Sequence, residues 1–478
     1  MTSMSSVSVN KREGNISDAF ASLSGANPEP LPDRFRQLKL SLAKNHESSI
    51  ISSWKRLLDT LRKENELISR FGPSIIPSIP FSKNLVDELH SQKAEIQKRG
   101  VAVIRGVIPE DEARAYKFEI EEYVRQNPHT KGFPATNPQV LELYWSASQV
   151  RARAHPALLE TQKALMSLWH ASSETPVSVK TPLMYADRLR IRQPGDAQFA
   201  LGPHVDGGSV ERWEKQGYGL GGVYDSIFQG EWEKGYDAFD PTGRVGAVTN
   251  LYDGLGACSM FRMFQGWMSM SNVKPGEGTL QVYPLVKEGL VYILLRPFFR
   301  AKRLGRIQEG YLEEDNWEFT GGEKMESALQ GATPGHGQEM NEELHPHLEL
   351  GRTMVNVPEV RPGDYVVWHC DTIHAVDRTH HGKSDSSVLY IPVCPTTESN
   401  AQYVARQRAA FLEGTPAPDF PGGKGESNHI GRPTVDYIKK HCSDLGVQST
   451  GLERLVALEK DTPGGEEAVR LANKVLGF

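Results

Sequence analysis

The chain has 478 residues, 38% hydrophobic and 24% charged, which is ordinary for a globular protein and long enough to bury a large core. With 54 basic against 60 acidic residues the formal net charge is −6, so no basic excess points to nucleic acid or to an anionic membrane surface. The four cysteines, Cys258, Cys370, Cys394 and Cys442, form no C-x-x-C pair, which argues against a Cys-rich zinc site and suits a reducing compartment. The first twenty residues hold no apolar run of secretory-signal length, and no stretch of about 18 apolar residues follows. The expectation is a cytoplasmic protein with a small-molecule substrate and neither a nucleic-acid nor a membrane partner.

Residues 1–30 are rich in Ser, Asn and small polar types and are expected to lack regular structure. Over residues 31–81, Leu38, Leu42, Ile50, Trp54, Leu57, Leu58 and Leu61 recur at helical spacing among charges, and Gly72-Pro73 stops them. A larger unit spans residues 82–395. It opens with a helical pattern over 84–99, Gly100 as a C-terminal cap, the short β-branched run Val101–Arg105, and an amphipathic pattern over 110–126.

Residues 155–172 again read as helix. Between 180 and 300, and again between 352 and 395, short runs bounded by Gly and Pro predict strands: Arg188–Arg192, Phe264–Met270, Thr279–Tyr283, Leu290–Leu295, Asp364–Trp368 and Ser387–Pro392. Two long insertions, 211–257 and 300–351, exceed normal connection lengths and are expected to carry specificity; Trp213, Tyr218, Tyr224 and Trp232 give the first an aromatic content that suits either ligand contact or core. Residues 396–478 form a C-terminal extension with helical patterns at 399–413 and 451–477.

Two segments carry chemistry. In Gly202-Pro203-His204-Val205-Asp206-Gly207-Gly208, a His and an Asp at i and i+2 on a strand share one face, so both can touch one metal ion. In Pro362-Gly363-Asp364-Tyr365-Val366-Val367-Trp368-His369-Cys370-Asp371-Thr372-Ile373-His374, a turn leads into an apolar strand and two histidines five residues apart. Two histidines and one carboxylate, with open positions left over, make the facial triad of Fe(II) oxygenases.

Together these segments resemble the jelly-roll oxygenases that use iron and 2-oxoglutarate, and within them the phytanoyl-CoA hydroxylase-like group. Glu277-Gly278-Thr279-Leu280-Gln281-Val282-Tyr283-Pro284 is similar to a barrel strand of that group, and Gly100–Val107 to the strand that leads into the barrel. With Glu142–Ser146 and Leu295–Phe299 the set looks like the YbiU-like branch, over roughly residues 95–395. The resemblance implies an α+β fold with a double-stranded β-helix (jelly-roll, cupin-like) core, flanking helices and long insertions. It implies Fe(II) held by His204, Asp206 and His374, with 2-oxoglutarate and O2 as co-substrates, and places His369 outside the ligand set. Oxidative decarboxylation of the 2-oxo acid to succinate and CO2 then drives oxidation of a substrate C–H bond.

One position departs from the family pattern. Relatives anchor the far carboxylate of 2-oxoglutarate with an Arg on the strand after the third ligand, where this chain has Ser387. A buried carboxylate needs a cationic or multiply hydrogen-bonded partner. The neighbouring strands carry Arg190 and Arg262, which are therefore the co-substrate-binding candidates alongside Ser387, with Arg378 and Lys383 as weaker ones. Two other readings stand beside this one: a catalytically silent jelly-roll scaffold, and a cupin-type enzyme that needs no 2-oxo acid. His345-x-His347, in an acidic stretch, is expected to be solvated loop, and the Gly-Gly pairs match no phosphate loop.

Overall fold

The structure is a computed structural model that describes residues 11–24, 30–198, 200–303, 308–457 and 460–478. It is a mixed α+β protein built around two sheets. The larger has eight strands in the order Ser78–Pro80, Val101–Arg105, Tyr365–His369, Phe264–Ser269, Ser386–Tyr390, Leu189–Arg192, Val140–Leu141 and Gly132–Phe133. The smaller has five, in the order Gln338–Glu339, His204–Val205, His374–Val376, Leu280–Val282 and Val355–Asn356. All neighbours pair antiparallel except the first two strands of the larger sheet. Several consecutive strands alternate between the sheets, so residues brought from both line the space between them.

Local chemistry accounts for these elements. Val101–Ile104 are all fully buried, as a strand covered on both faces requires, and the β-branched residues fit the pleat. Pro362-Gly363-Asp364 turns the chain into the strand Tyr365–His369. Gly363 has φ +87°, and a Cβ there would lie 1.9 Å from the Ile108 carbonyl oxygen, so only glycine serves. Helix Glu110–Gln126 carries three acidic residues in its first turn and Arg125 in its last, matching the helix dipole. The strand Ser386–Tyr390 lies between Leu189–Arg192 and Phe264–Ser269, so its neighbours are the segments that bring Arg190 and Arg262.

Helix Glu47–Phe71 lays Trp54 flat on Phe299, ring centroids 4.3 Å apart, and packs against helix Val286–Leu295. That second helix overturns a prediction: Leu290–Leu295, expected as a strand, forms its last two turns. Every residue from Gly289 to Leu295 is buried, so the run shows neither a helical stripe nor alternation, and a short apolar run without a period fits either element.

Residues 16–24 also differ from expectation. A 3-10 turn, Ile16–Ala19, capped by Asn15, and one helical turn, Ala21–Ser24, stand where composition predicted no regular structure. Ile16 and Phe20, one helical turn apart, are buried and hold the segment down. The rest of the segment expected to lack structure, residues 1–10 and 25–29, lies outside the described residues.

The C-terminal extension packs helix Glu398–Glu413 against helix Pro463–Leu476 around an apolar cluster separate from the main core. Its linker returns to the body through Glu426, which accepts the backbone N–H groups of Tyr144 at 2.7 Å and Trp145 at 2.9 Å. Among the described residues no helix is long and apolar enough to cross a membrane.

Candidate metal centre

His204 and His374 sit on adjacent strands and face each other directly in the register, so their side chains leave the sheet on the same side. Their ring centroids are 4.1 Å apart. Asp206 follows two residues after His204, and its carboxylate lies 3.8 Å from His204 Nε2 and 3.5 Å from His374 Nε2. One ligand atom from each of the three can be chosen so that all lie within 4.8 Å of one another. The chain can turn sharply after the aspartate because Gly208 has φ +84°, and a Cβ there would meet the Thr249 carbonyl at 2.5 Å. Arg212, buried beneath the turn, donates to the backbone carbonyls of Asp206 and Gly208.

The outer contacts fix which atoms face inward. His204 Nδ1–H donates to the Gly202 carbonyl at 2.7 Å, and His374 Nδ1–H to the Thr372 carbonyl at 3.0 Å. Both Nε2 lone pairs are thereby left for a metal, the arrangement by which second partners set the tautomer of ligating histidines. The Gln265 amide, oriented from its hydrogen-bond network, donates to Asp206 Oδ2 at 2.8 Å while its oxygen accepts from Trp368 Nε1 at 3.2 Å. Burial, with His374 alongside, brings His204 down to about 4. Burial pushes the Asp206 carboxyl up, but the His374 hydrogen bond and the charges of His204, His374 and Arg262 prevail and hold it well below the usual range. At neutral pH His204 is thus uncharged and Asp206 ionised, the states that ligate a metal.

The three residues open onto a cavity of about 100 Å³ between the sheets. Arg190 and Arg262, buried to 2% and 5% exposure, both line it. Arg190 comes from the strand beside Ser386–Tyr390, with the cavity-lining Tyr390 nearby. Arg262 lies 3.3 Å from the amide of Gln265, the residue that contacts Asp206. Ser387 is not among the lining residues: Val388 pairs with Arg190 and Tyr390 lines the cavity, so strand alternation puts Ser387 on the other face. Its hydroxyl donates to Asp385, which is held by Arg114.

His369 stands apart from this centre. Its Nε2–H donates to the Ala238 carbonyl at 2.8 Å, its Nδ1 accepts from the Asp371 N–H at 3.1 Å, and its ring stacks on Trp169 at 4.9 Å. His369, Cys370 and Asp371 also lie close enough to share an ion, but both His369 nitrogens are engaged and Arg244 of the first insertion pairs with Asp371. That cluster ties the insertion to the end of strand Tyr365–His369. Trp213, Tyr218, Tyr224 and Trp232 are buried in the core and line no part of the cavity. His345 and His347, expected in solvated loop, are buried at 0% and 5% exposure, and His347 meets the Tyr292 hydroxyl at 3.0 Å. The acidic residues around them face solvent in the sequence pattern, but the two rings turn inward onto Tyr292 and Trp317.

Two contributions were not read from sequence. Gln265 stands in a strand that was recognised, yet its contact with Asp206 depends on its pairing opposite Trp368. Phe20 meets His204 in an edge-to-face contact, centroids 4.8 Å apart, and the only local signal is the Ile16/Phe20 spacing in a polar segment.

Comparison with known proteins finds similarity over most of the chain. The model of the Gig2-like family matches residues 29–452. The uncharacterized protein YbiU of Escherichia coli strain K12 is 30% identical over 363 residues, which is 73% of this chain and 80% of that protein. GlcNAc Inducible Gene 2 (GIG2) of Candida albicans superposes with a TM-score of 0.81 at 33% identity, covering 95% of this chain and 97% of that one. A Salmonella typhimurium LT2 protein named provisionally as an oxidoreductase superposes with a TM-score of 0.72 at 29% identity, covering 88% and 99%.

Proposed function

The chain belongs to the Gig2-like family, and we propose that it is a non-haem Fe(II)- and 2-oxoglutarate-dependent dioxygenase that oxidises a small organic substrate. The observation that carries this reading is the donor set: two imidazoles with their Nε2 atoms turned inward and one ionised carboxylate, all facing a cavity that buried arginines also line. Such a set fits Fe(II) and leaves coordination positions open. The alternation of antiparallel strands between two sheets supports reading the core as a double-stranded β-helix. The provisional naming of the Salmonella relative as an oxidoreductase points the same way.

The protein's own groups divide the work. His204, Asp206 and His374 would hold the metal, and Gln265 orients the carboxylate. Arg190 would hold the carboxylate of the 2-oxo acid that is not at the metal. The assignment favours Arg190 because Arg262 lies 3.3 Å from the Gln265 amide that contacts Asp206, and so toward the metal end, whereas Arg190 stands across from Val388 on the neighbouring strand. Trp267, Trp368, Leu280 and Val376 give the cavity an apolar wall that excludes water. Bound iron would supply oxygen activation coupled to oxidative decarboxylation of the 2-oxo acid. No side-chain acid or base is required.

The test is succinate release from 2-oxoglutarate under air with Fe(II) and ascorbate, against His374→Ala as the blank. Release in the parent and none in the variant is the expected result. Tight metal binding with no succinate and no 2-oxoglutarate binding would overturn the oxygenase reading and leave a metal-binding scaffold.

A further inference from the structure

The metal cavity is smaller than its proposed task requires. Ligand sites run to roughly 300–1,000 Å³, whereas this cavity holds about 100 Å³. A second hollow, about 20 Å³, lies beside it, lined by Gly207, Gly208 and Asn250 near the first insertion and by Gly335, His336 and Gly337 of the second. Ala19, Phe20, Asp206 and Gly256 line both spaces. The N-terminal segment therefore forms part of the partition between two spaces that both reach a metal ligand. Phe20 is its bulkiest contribution, 6% exposed, with its ring edge-to-face with that of His204.

The attachment of this segment differs from that of the rest of the fold. Ile16 and Phe20 form a small apolar cluster with Val140, separate from the main core. The polar ties lie toward the surface: the Gly337 N–H donates to the Ala19 carbonyl at 2.8 Å, and the Ser22 N–H and hydroxyl donate to Glu339. Glu339 pairs in the register with His204, so the segment is fastened directly beside the metal strand. A short element outside the main core, held by few bonds, belongs to the part of a protein that opens most readily.

We propose that residues 16–24 are a gate over the metal cavity with Phe20 as its stopper, and that the substrate occupies the space joined when the gate lifts. The proposal rests on reading the cavity as the site of substrate and co-substrate. It assigns Phe20 as a specificity-determining residue, because what replaces its ring beside His204 must fill the same place.

Cys258 reports on the gate without any turnover. Its thiol lines the metal cavity at 8% exposure, whereas Cys394 is fully buried and does not line it. The full-length, metal-free protein is treated with N-ethylmaleimide and the labelling of each cysteine is followed by peptide mass spectrometry. Phe20→Ala should speed labelling of Cys258 at least tenfold, Phe20→Leu should stay near the parent, and Cys394 should not change. An unchanged Cys258 rate in Phe20→Ala would overturn the gate, as would a parallel rise at Cys394, which signals general loosening. A Co(II) and 2-oxoglutarate titration of the same samples separates the two ideas: absence of a 2-oxoglutarate response sinks the cofactor reading, while the labelling ratio still decides the gate.

Discussion

Replacing Arg190 with Ala tests the proposed co-substrate site most directly. The guanidinium is 2% exposed and lines the cavity, so a carboxylate bound to it is removed from water along with it. Truncating one partner of such a buried charge pair costs about 2–4 kcal/mol, within the range for desolvated pairs, because the other charge is left buried. At about 1.4 kcal/mol per factor of ten, this corresponds to a roughly 30- to 700-fold weaker hold on 2-oxoglutarate. The candidate metal ligands are untouched, so Fe(II) affinity should stay within about twofold. The assay is an anaerobic titration of the Fe(II)–2-oxoglutarate charge-transfer absorbance in the parent, Arg190→Ala, Arg262→Ala and Ser387→Ala. Ser387→Ala should titrate like the parent, because its hydroxyl is bonded to Asp385 on the far face of the strand. An unchanged titration in Arg190→Ala refutes the placement, and a full loss in Arg262→Ala instead would mean that the co-substrate lies the other way round.

Alanine at His204, Asp206 or His374 should abolish tight Fe(II) binding measured by equilibrium dialysis, whereas His369→Ala should retain the metal. His369→Ala should instead lose about 2–4 kcal/mol of stability, seen as a lower melting temperature, because it opens a cavity against Trp169 and removes buried hydrogen bonds. Burial pushes the Glu426 carboxyl up to about 7 from 4.5, against the pull of the Tyr144 and Trp145 N–H groups. A raised acid costs nothing while both folded and unfolded forms are protonated. Its penalty grows as pH rises from 4.5 to 7 and reaches about 3 kcal/mol above that. Glu426→Gln, which keeps an acceptor for both N–H groups, should therefore flatten the fall in melting temperature between pH 5 and 8, and parallel profiles for the two proteins would contradict this.

The candidate metal-binding trio was legible in the sequence because its logic is local. His204 and Asp206 share a face through strand periodicity alone, and the turn–strand–His pattern ending at His374 is a short chemical signature. Val101–Arg105 and helix Glu110–Gln126 were equally readable, since each shows a β-branched run or a helical stripe with its own boundary residues. Leu290–Leu295 was not, because a segment buried all round carries no period, and only helix Glu47–Phe71 packed against it reveals the element. The tertiary structure alone decided that His374 stands opposite His204, that Gln265 reaches Asp206, and that Ser387 faces away from the cavity while Arg190 lines it. Each of these depends on the pairing register of strands far apart in the chain, and a shift of one residue would exchange the two faces. Phe20 shows the same limit: a ring in a polar segment has no local reason to rest on His204, and contacts made at long range put it there.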